Sequence, residues 1–341
     1  MPTRIRRQVV GRLLLAAAIV LSLATIASWW PLPWVNLDGD RMLEASQVFL
    51  RGGDPYGIPG YLYSPLAPIL TAPLALVPYG LALLLLVKVE LVAGYAWVRF
   101  GPLLAVAVLL SPPVFSDLVL GNVNLLLVAA AAWMIAKGGI GPGVVSGILF
   151  AAFPKPMLLP LLLWVFVFRR RSALGWLIAS LVATAVAVAV VGPGRYAEFV
   201  ALLLRGGDVG SSFVGSAGLS SFSPVAGFVV GVVAAGIFVW SMRSRDWTTS
   251  LVAAAAAGML AGTYQTLNSA ELLLGVLPWY AALHPRRAPL VLAAVFGAVV
   301  SLPLAAIATL AVALVPRSRA EPAIDRLRAW LPSRKGPATA S

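Results

Sequence analysis

The chain contains no cysteine, which excludes disulfides, thiolate metal sites and cysteine nucleophiles. Thiol-free loops also suit an oxidising exterior. A single histidine, His284, rules out a multi-histidine metal centre. Charge is scarce as well: Asp, Glu, Lys and Arg make up 11% of the 341 residues, less than half the ~25% of ordinary soluble domains. Acids are the rarer sign, 12 against 25 Lys and Arg, for a net charge of +13. What the chain has in quantity is apolar surface. Hydrophobic residues reach 60% and the mean hydropathy is +0.94. So little polar surface cannot keep a core of this size in water, so the bilayer is the expected solvent. The length describes one helical bundle rather than two soluble domains.

The basic residues fall in short clusters between apolar runs: Arg4, Arg6, Arg7 and Arg12; Arg169, Arg170 and Arg171; Arg243 and Arg245; Arg286 and Arg287; and Arg317 through Lys335. A nucleic-acid binder would gather them on one wet face, so no nucleic-acid partner is expected. Spaced clusters of this kind mark cytoplasmic loop ends under the positive-inside rule. The Ala/Arg/Gly/Val-rich usage points to a high-GC bacterium, whose plasma membrane is the expected location.

The first apolar run, Gly11 to Trp30, reads as an uncleaved anchor. It ends in the interfacial pair Trp29-Trp30, and no A-x-A cleavage site follows. Its basic start puts the N-terminus in the cytoplasm and the loop 31–63 outside. Within that loop, Asp40 to Leu50 predicts a surface helix with Met42, Leu43, Val48, Phe49 and Leu50 on its apolar side. Further spans are expected at Leu66–Val77 (short, proline-broken, tolerated only under protein cover), Leu81–Val98, Leu103–Val114, Leu118–Ala136, Val144–Phe153, Met157–Phe168, Leu174–Val191, Val225–Met242, Thr249–Leu267 and Leu272–Leu283. Leu290–Val315, interrupted by Pro303, reads as two helices, because a single crossing would place the basic tail outside. The fold class is thus an all-α polytopic membrane protein of about 10–12 transmembrane helices, some short or broken. Residues 1–315 read as one domain, with a second outer loop at 192–223 that is a candidate lid. Residues 316–341 read as a basic cytoplasmic tail lying against membrane lipids. Counting spans from the Arg clusters puts four polar segments on one side. They are the first loop, Gly121–Asn124, Pro154–Pro156, and the Tyr264, Gln265, Asn268 and Glu271 group.

Asp38 and Asp40 stand out in Asn36-Leu37-Asp38-Gly39-Asp40-Arg41. A D-x-D spacing can hold one divalent cation, Mg2+ or Mn2+, the one cofactor left open. A lone carboxylate can instead take a proton from a hydroxyl nucleophile, or simply cap a helix. Lys155 and Arg41 can meet a phosphate or anchor at the interface. Asn122 and Asn124 can bind sugar hydroxyls or bond between helices. Tyr56, Tyr61 and Tyr63 can stack on a sugar or form an interfacial belt. Glu271, at the start of an apolar span, is a functional candidate placed near the outer edge, where its cost is small. Lys88 and Glu90 read as lining the bundle interior or marking a span end, and His284 as a cytoplasmic loop residue.

Residues 38 to 78, DGDRMLEASQVFLRGGDPYGIPGYLYSPLAPILTAPLALVP, resemble the first-loop signature of GT-C membrane glycosyltransferases. The specific resemblance is to the polyprenyl-phosphate-mannose-dependent family GT87. Gly52-Gly53-Asp54-Pro55-Tyr56 and Tyr61-Leu62-Tyr63-Ser64-Pro65 fill its G-x-D-P-Y and aromatic-Pro places. Gly121-Asn122-Val123-Asn124-Leu125-Leu126 resembles its G-Q-x-N-x-L, and Lys155-Pro156 with Arg169-Arg170-Arg171 its K-P…R-R-R. The chain departs from the pattern at Gly39 (an aromatic), Asn122 (Gln) and Ser64 (Pro), which bears on donor and acceptor more than on fold.

The resemblance implies a GT-C-like bundle with a catalytic first outer loop. It implies a donor sugar, mannose first, on a polyprenyl phosphate, and a lipid or glycan acceptor at the outer face, with inversion. Asp38 would be the base, Asp40 would orient the acceptor, and Lys155 would meet the phosphate. The alternative is a multi-span transporter or lipid flippase, whose ionisable groups would sit at mid-membrane. A third reading is a non-catalytic assembly protein.

Overall fold

The structure is a computed structural model and describes residues 20, 37–76, 88, 111–205, 224–242, 247–260, 270–284, 287–298 and 302–314. Among these residues there are thirteen α-helices and no strand. The expected Leu81–Val98 and Leu103–Val114 spans, Glu90, Tyr264, Gln265, Asn268 and the tail 316–341 lie outside them, apart from Lys88 and the residues after 110.

Helices α1 (Leu37–Leu50) and α2 (Leu66–Ala75) form a pair at the N-terminal side. Ser46 Oγ and Thr71 Oγ1 lie 2.6 Å apart between them. The side of α1 that is buried is Met42, Ala45 and Ser46, whereas Leu50 is exposed and Leu43, Val48 and Phe49 are half-buried. The expected apolar face is therefore corrected. Small residues let α2 approach closely, and a hydroxyl pair joins the two helices where a hydrophobic stripe was predicted.

Helices α3 (Pro112–Leu120) and α4 (Asn124–Lys137) replace the single span expected at Leu118–Ala136. Gly121 adopts a left-handed conformation (φ 67°) and ends α3, as glycine commonly does at a helix C-terminus. Its amide and that of Asn122 turn back to Asp117 and Leu118 carbonyls.

Helices α5 (Ile140–Ala152), α6 (Leu159–Phe168) and α7 (Arg170–Val191) follow. A Cβ at Gly143 or Gly147 would collide with the carbonyl oxygens of Ser172 and Trp176, so α5 and α7 touch backbone to backbone. Ser172 Oγ donates to Gly139 O (2.9 Å) and Ser180 Oγ to Gly147 O (3.0 Å), fastening the same seam.

The segment predicted as an outer loop at 192–223 begins instead with helix α8 (Pro193–Arg205). Phe199 is buried and stacks on Tyr56 at 6.4 Å. Arg195 Nη1 donates to Gly53 O at 3.2 Å. Helix formation here follows from a run of helix formers between Pro193 and Arg205, anchored by an aromatic pair.

Helices α9 (Pro224–Met242), α10 (Trp247–Leu260), α11 (Glu271–Leu283), α12 (Ala288–Gly297) and α13 (Leu302–Leu314) complete the described chain. The expected pair of helices around Pro303 is present as α12 and α13. α10 packs against α6, α9, α11 and α13, and its residues 250–260 are buried on every side. A helix apolar all round belongs at the centre of a bundle. Trp164 Nε1 donates to Ser250 Oγ at 2.9 Å and ties α6 to it.

One described helix, α7, is long and apolar enough by itself to cross a membrane. Leu177, Ile178, Leu181, Val182 and Val186 lie exposed along it. Eight further apolar helices are shorter, α4, α10 and α11 among them.

Candidate active site

Asp38 lies in the first turn of α1, half-buried. Asn122 Nδ2 donates to its Oδ2 at 2.7 Å. The helix break at Gly121 turns Asn122 out of the α-helical ladder and frees its side chain to reach across. Asn122 Oδ1 accepts from the amide of Val123 (2.7 Å) and from the Tyr63 hydroxyl (3.4 Å), which fixes the amide so that its NH2 faces the carboxylate. Burial pushes the Asp38 carboxyl above its ordinary value, and the positive charges of Lys155 and Arg41 pull it back.

Lys155 sits in the turn between α5 and α6, with its Nζ over the Tyr63 ring at 5.3 Å from the centroid. Burial draws its pKa below the ordinary lysine value, and Asp38 opposes the shift. Ser64 anchors the Tyr63 segment to the same turn: its amide bonds Ala152 O (3.2 Å) and its hydroxyl bonds Ala151 O (2.6 Å). Arg41, half-buried, lays its guanidinium over Gly60, where a Cβ would stand 2.7 Å from Nη1. Gly60 is in the left-handed region at φ 76°, so both space and backbone favour glycine there.

The tyrosines are engaged within the protein. Tyr56 donates to Tyr63 O (3.1 Å) and stacks on Phe199. Tyr63 meets Phe153 edge-on at 5.3 Å and offers its face to Lys155. Asp40 does not share the direction of Asp38. Two positions apart on a helix do not face each other, and Asp40 is exposed. The D-x-D spacing therefore makes no carboxylate pair for a cation here, and no group of three or more His, Asp or Glu able to hold a metal ion occurs among the described residues.

Glu271, His284 and Lys88 complete the candidates. Glu271 is fully buried, so its place is not the cheap one expected, and neither carboxylate oxygen has a hydrogen-bond partner. His284 follows α11 in the connection to α12, as expected of a loop residue, and is buried, stacking on Tyr280 at 4.4 Å. Lys88 lines the interior, as one of its two expected readings had it, and pairs with Asp117 at 3.3 Å with both side chains fully buried.

Asp117 escaped the sequence reading. Its Oδ2 also accepts from the Leu125 amide at 3.4 Å, so it caps α4 from the far side of the Gly121 break. A lone acid inside an apolar run, with Lys88 inside another, was the available signal.

Asp38, Asn122, Asn124, Lys155, Lys88, Asp117 and Glu271 thus collect around the start of α4. Asp117 and Lys88 are within electrostatic reach of Asp38, and Asp117, Lys88 and Lys155 of Glu271. A half-desolvated carboxylate with a fixed amide on one oxygen and cations nearby is the equipment of an enzyme that activates a hydroxyl beside an anionic group.

The family model for glycosyltransferase family 87 matches residues 61–262, more than half of the chain. The chain belongs to this family and is a glycosyltransferase. The match covers the Tyr63, Asn122 and Lys155 segments and begins after Asp38. Comparison with curated proteins and with solved structures found no match.

Proposed function

We propose that this glycosyltransferase is a multi-pass membrane enzyme. It moves a sugar, mannose in the first instance, from a polyprenyl-phosphate donor to a lipid or glycan acceptor at the outer face of the membrane. The bond from Asn122 to Asp38 carries the reading, because it holds one carboxylate ready as a base. The acceptor hydroxyl oxygen attacks the anomeric carbon, its proton passes to Asp38, and the bond from that carbon to the phosphate oxygen breaks. The polyprenyl phosphate leaves with the electron pair, and Lys155, assisted by Arg41, meets its charge. A single displacement inverts the anomeric configuration. The apolar exposed residues of α7 and the shorter apolar helices support a bilayer setting, and the spaced Arg clusters support the orientation. Family membership leaves the transporter alternative without a favouring observation.

The test is transfer of radiolabelled mannose from polyprenyl-phosphate-mannose to endogenous lipids, in membranes carrying the wild type or Asp38→Ala at matched abundance. Transfer by the wild type that the variant loses is the expected result. No mannose transfer by either overturns the donor, and equal transfer by both, above empty membranes, overturns Asp38 as the base.

A further inference from the structure

A buried carboxylate that accepts no hydrogen bond is costly, and native proteins keep such groups for a reason. Glu271 Oε1 and Oε2 are in this condition, with the residue fully buried. So is Asn124 Oδ1, in a residue 2% exposed. The two residues belong to the same place. α11 packs on α4, and a Cβ at Gly275 would stand 2.6 Å from Val128 Cγ1. Glu271 is one turn before Gly275, and Asn124 one turn before Val128. Asp117 is in electrostatic reach of Glu271, and its carboxylate holds the Leu125 amide. The helices therefore run in the same direction, with Glu271 alongside the start of α4. Three acceptor atoms without donors thus sit on the first turns of two helices packed together, and Asn124 is two residues from the asparagine that holds Asp38.

Two explanations internal to the fold fall short. A Glu in the first turn of a helix is favoured by the dipole, yet α11 has no side-chain cap bond, and a dipole supplies no hydrogen bond. Lys88 and Lys155 supply positive charge within reach but donate no bond to Glu271. The missing partner must bring donors. An anion brings none, and no group of three or more His, Asp or Glu able to hold a metal ion occurs here among the described residues. Neutral hydroxyl groups fit.

We infer that Glu271 and Asn124 form a subsite that reads the hydroxyl groups of a sugar beside Asp38. This deepens the glycosyl-transfer reading and rests on it. The hydroxyls belong either to the donor sugar or to the acceptor, and the experiment separates these.

The full chain is purified, and the wild type is compared with Glu271→Met and Asn124→Leu, which keep approximate volume and remove the acceptors. Affinity is measured for polyprenyl-phosphate-mannose and for bare polyprenyl phosphate. Transfer is also followed against the concentration of a lipid extract that serves as acceptor. If the donor sugar is read, the wild type prefers the sugar-bearing ligand by about tenfold or more, the worth of a hydrogen bond to a charged group, and the variants bind both ligands alike. If the acceptor is read, that preference survives and the half-saturating extract concentration rises by a similar factor at unchanged kcat. In both cases Glu271→Met keeps or gains thermal stability, because an unpartnered carboxylate has gone. Unchanged preference together with unchanged half-saturation overturns the inference, as does a variant that loses stability and weakens binding of both ligands equally. A wild type that neither binds the donor nor transfers from it fails before any variant is compared. That outcome removes the glycosyl-transfer reading itself and this inference with it.

Discussion

Asn122 and Asp38, eighty-four positions apart, meet through one 2.7 Å hydrogen bond. The bond joins the first turn of α1 to the break between α3 and α4, so the carboxylate is held by a segment with no local tie to it. Asn122→Leu removes the donor and leaves the carboxylate to desolvation and the charges of Lys155 and Arg41. A hydrogen bond to a charged group is worth about 1.5–3 kcal/mol. Transfer should fall about tenfold or more at neutral pH, and Asn122→Gln should recover part of it, since Gln stands at this place in the family pattern. Steady-state transfer rates at matched abundance check this.

As the proposed base, Asp38 works only when ionised, so activity should be lost as pH falls through its raised pKa. Lys155 stabilises the ionised form and holds that pKa down. Lys155→Met should therefore move the acidic limb of the kcat/KM profile to higher pH, in addition to lowering its plateau through loss of the proposed phosphate contact. A plateau that drops with an unmoved limb would show that Lys155 does not act on Asp38.

The Lys88–Asp117 pair predicts a large stability effect. Lys88→Met leaves a fully buried carboxylate without its cation, at a cost of about 3–5 kcal/mol. The double variant Lys88→Met/Asp117→Asn should recover much of it, because the Asn side-chain oxygen can still accept from the Leu125 amide. Thermal unfolding midpoints in one detergent compare the three proteins.

Gly147 in the α5–α7 seam and Gly236 in α9 predict opposite signs. Gly147→Ala sets a methyl against the Trp176 carbonyl and Ala179, and overpacking of this kind costs about 1–3 kcal/mol. Gly236→Ala, in the middle of α9, faces open space and should gain about 0.5–1 kcal/mol from reduced chain freedom. Equal effects at the two positions would contradict the close approach.

Much of the helix layout was legible in the residues. Apolar runs bounded by Pro, Gly and Arg located α5 to α7 and α9 to α13 within a few positions, because burial in an apolar medium requires them and glycine and proline stop them. The G-N-V-N and K-P segments were legible as polar interruptions in such runs. The break at Gly121 was not, because α3 and α4 carry one nearly continuous apolar pattern across it. Helix α8 was hidden by its glycine-rich flank, and its role depends on Tyr56, far away in sequence.

The residues by themselves determined an apolar helical bundle, its basic loop ends and the positions of Asp38, Asn122, Lys155 and Glu271 as candidates. Periodicity and composition are local, and they suffice for that. Only the tertiary structure decided which of these groups meet. It joined Asp38 to Asn122, laid Lys155 over Tyr63, paired Lys88 with Asp117, turned Asp40 away and left Glu271 without a donor. Each of these is a distance between side chains on different segments, or a direction set by the helix that carries them, and packing rather than local pattern sets such distances.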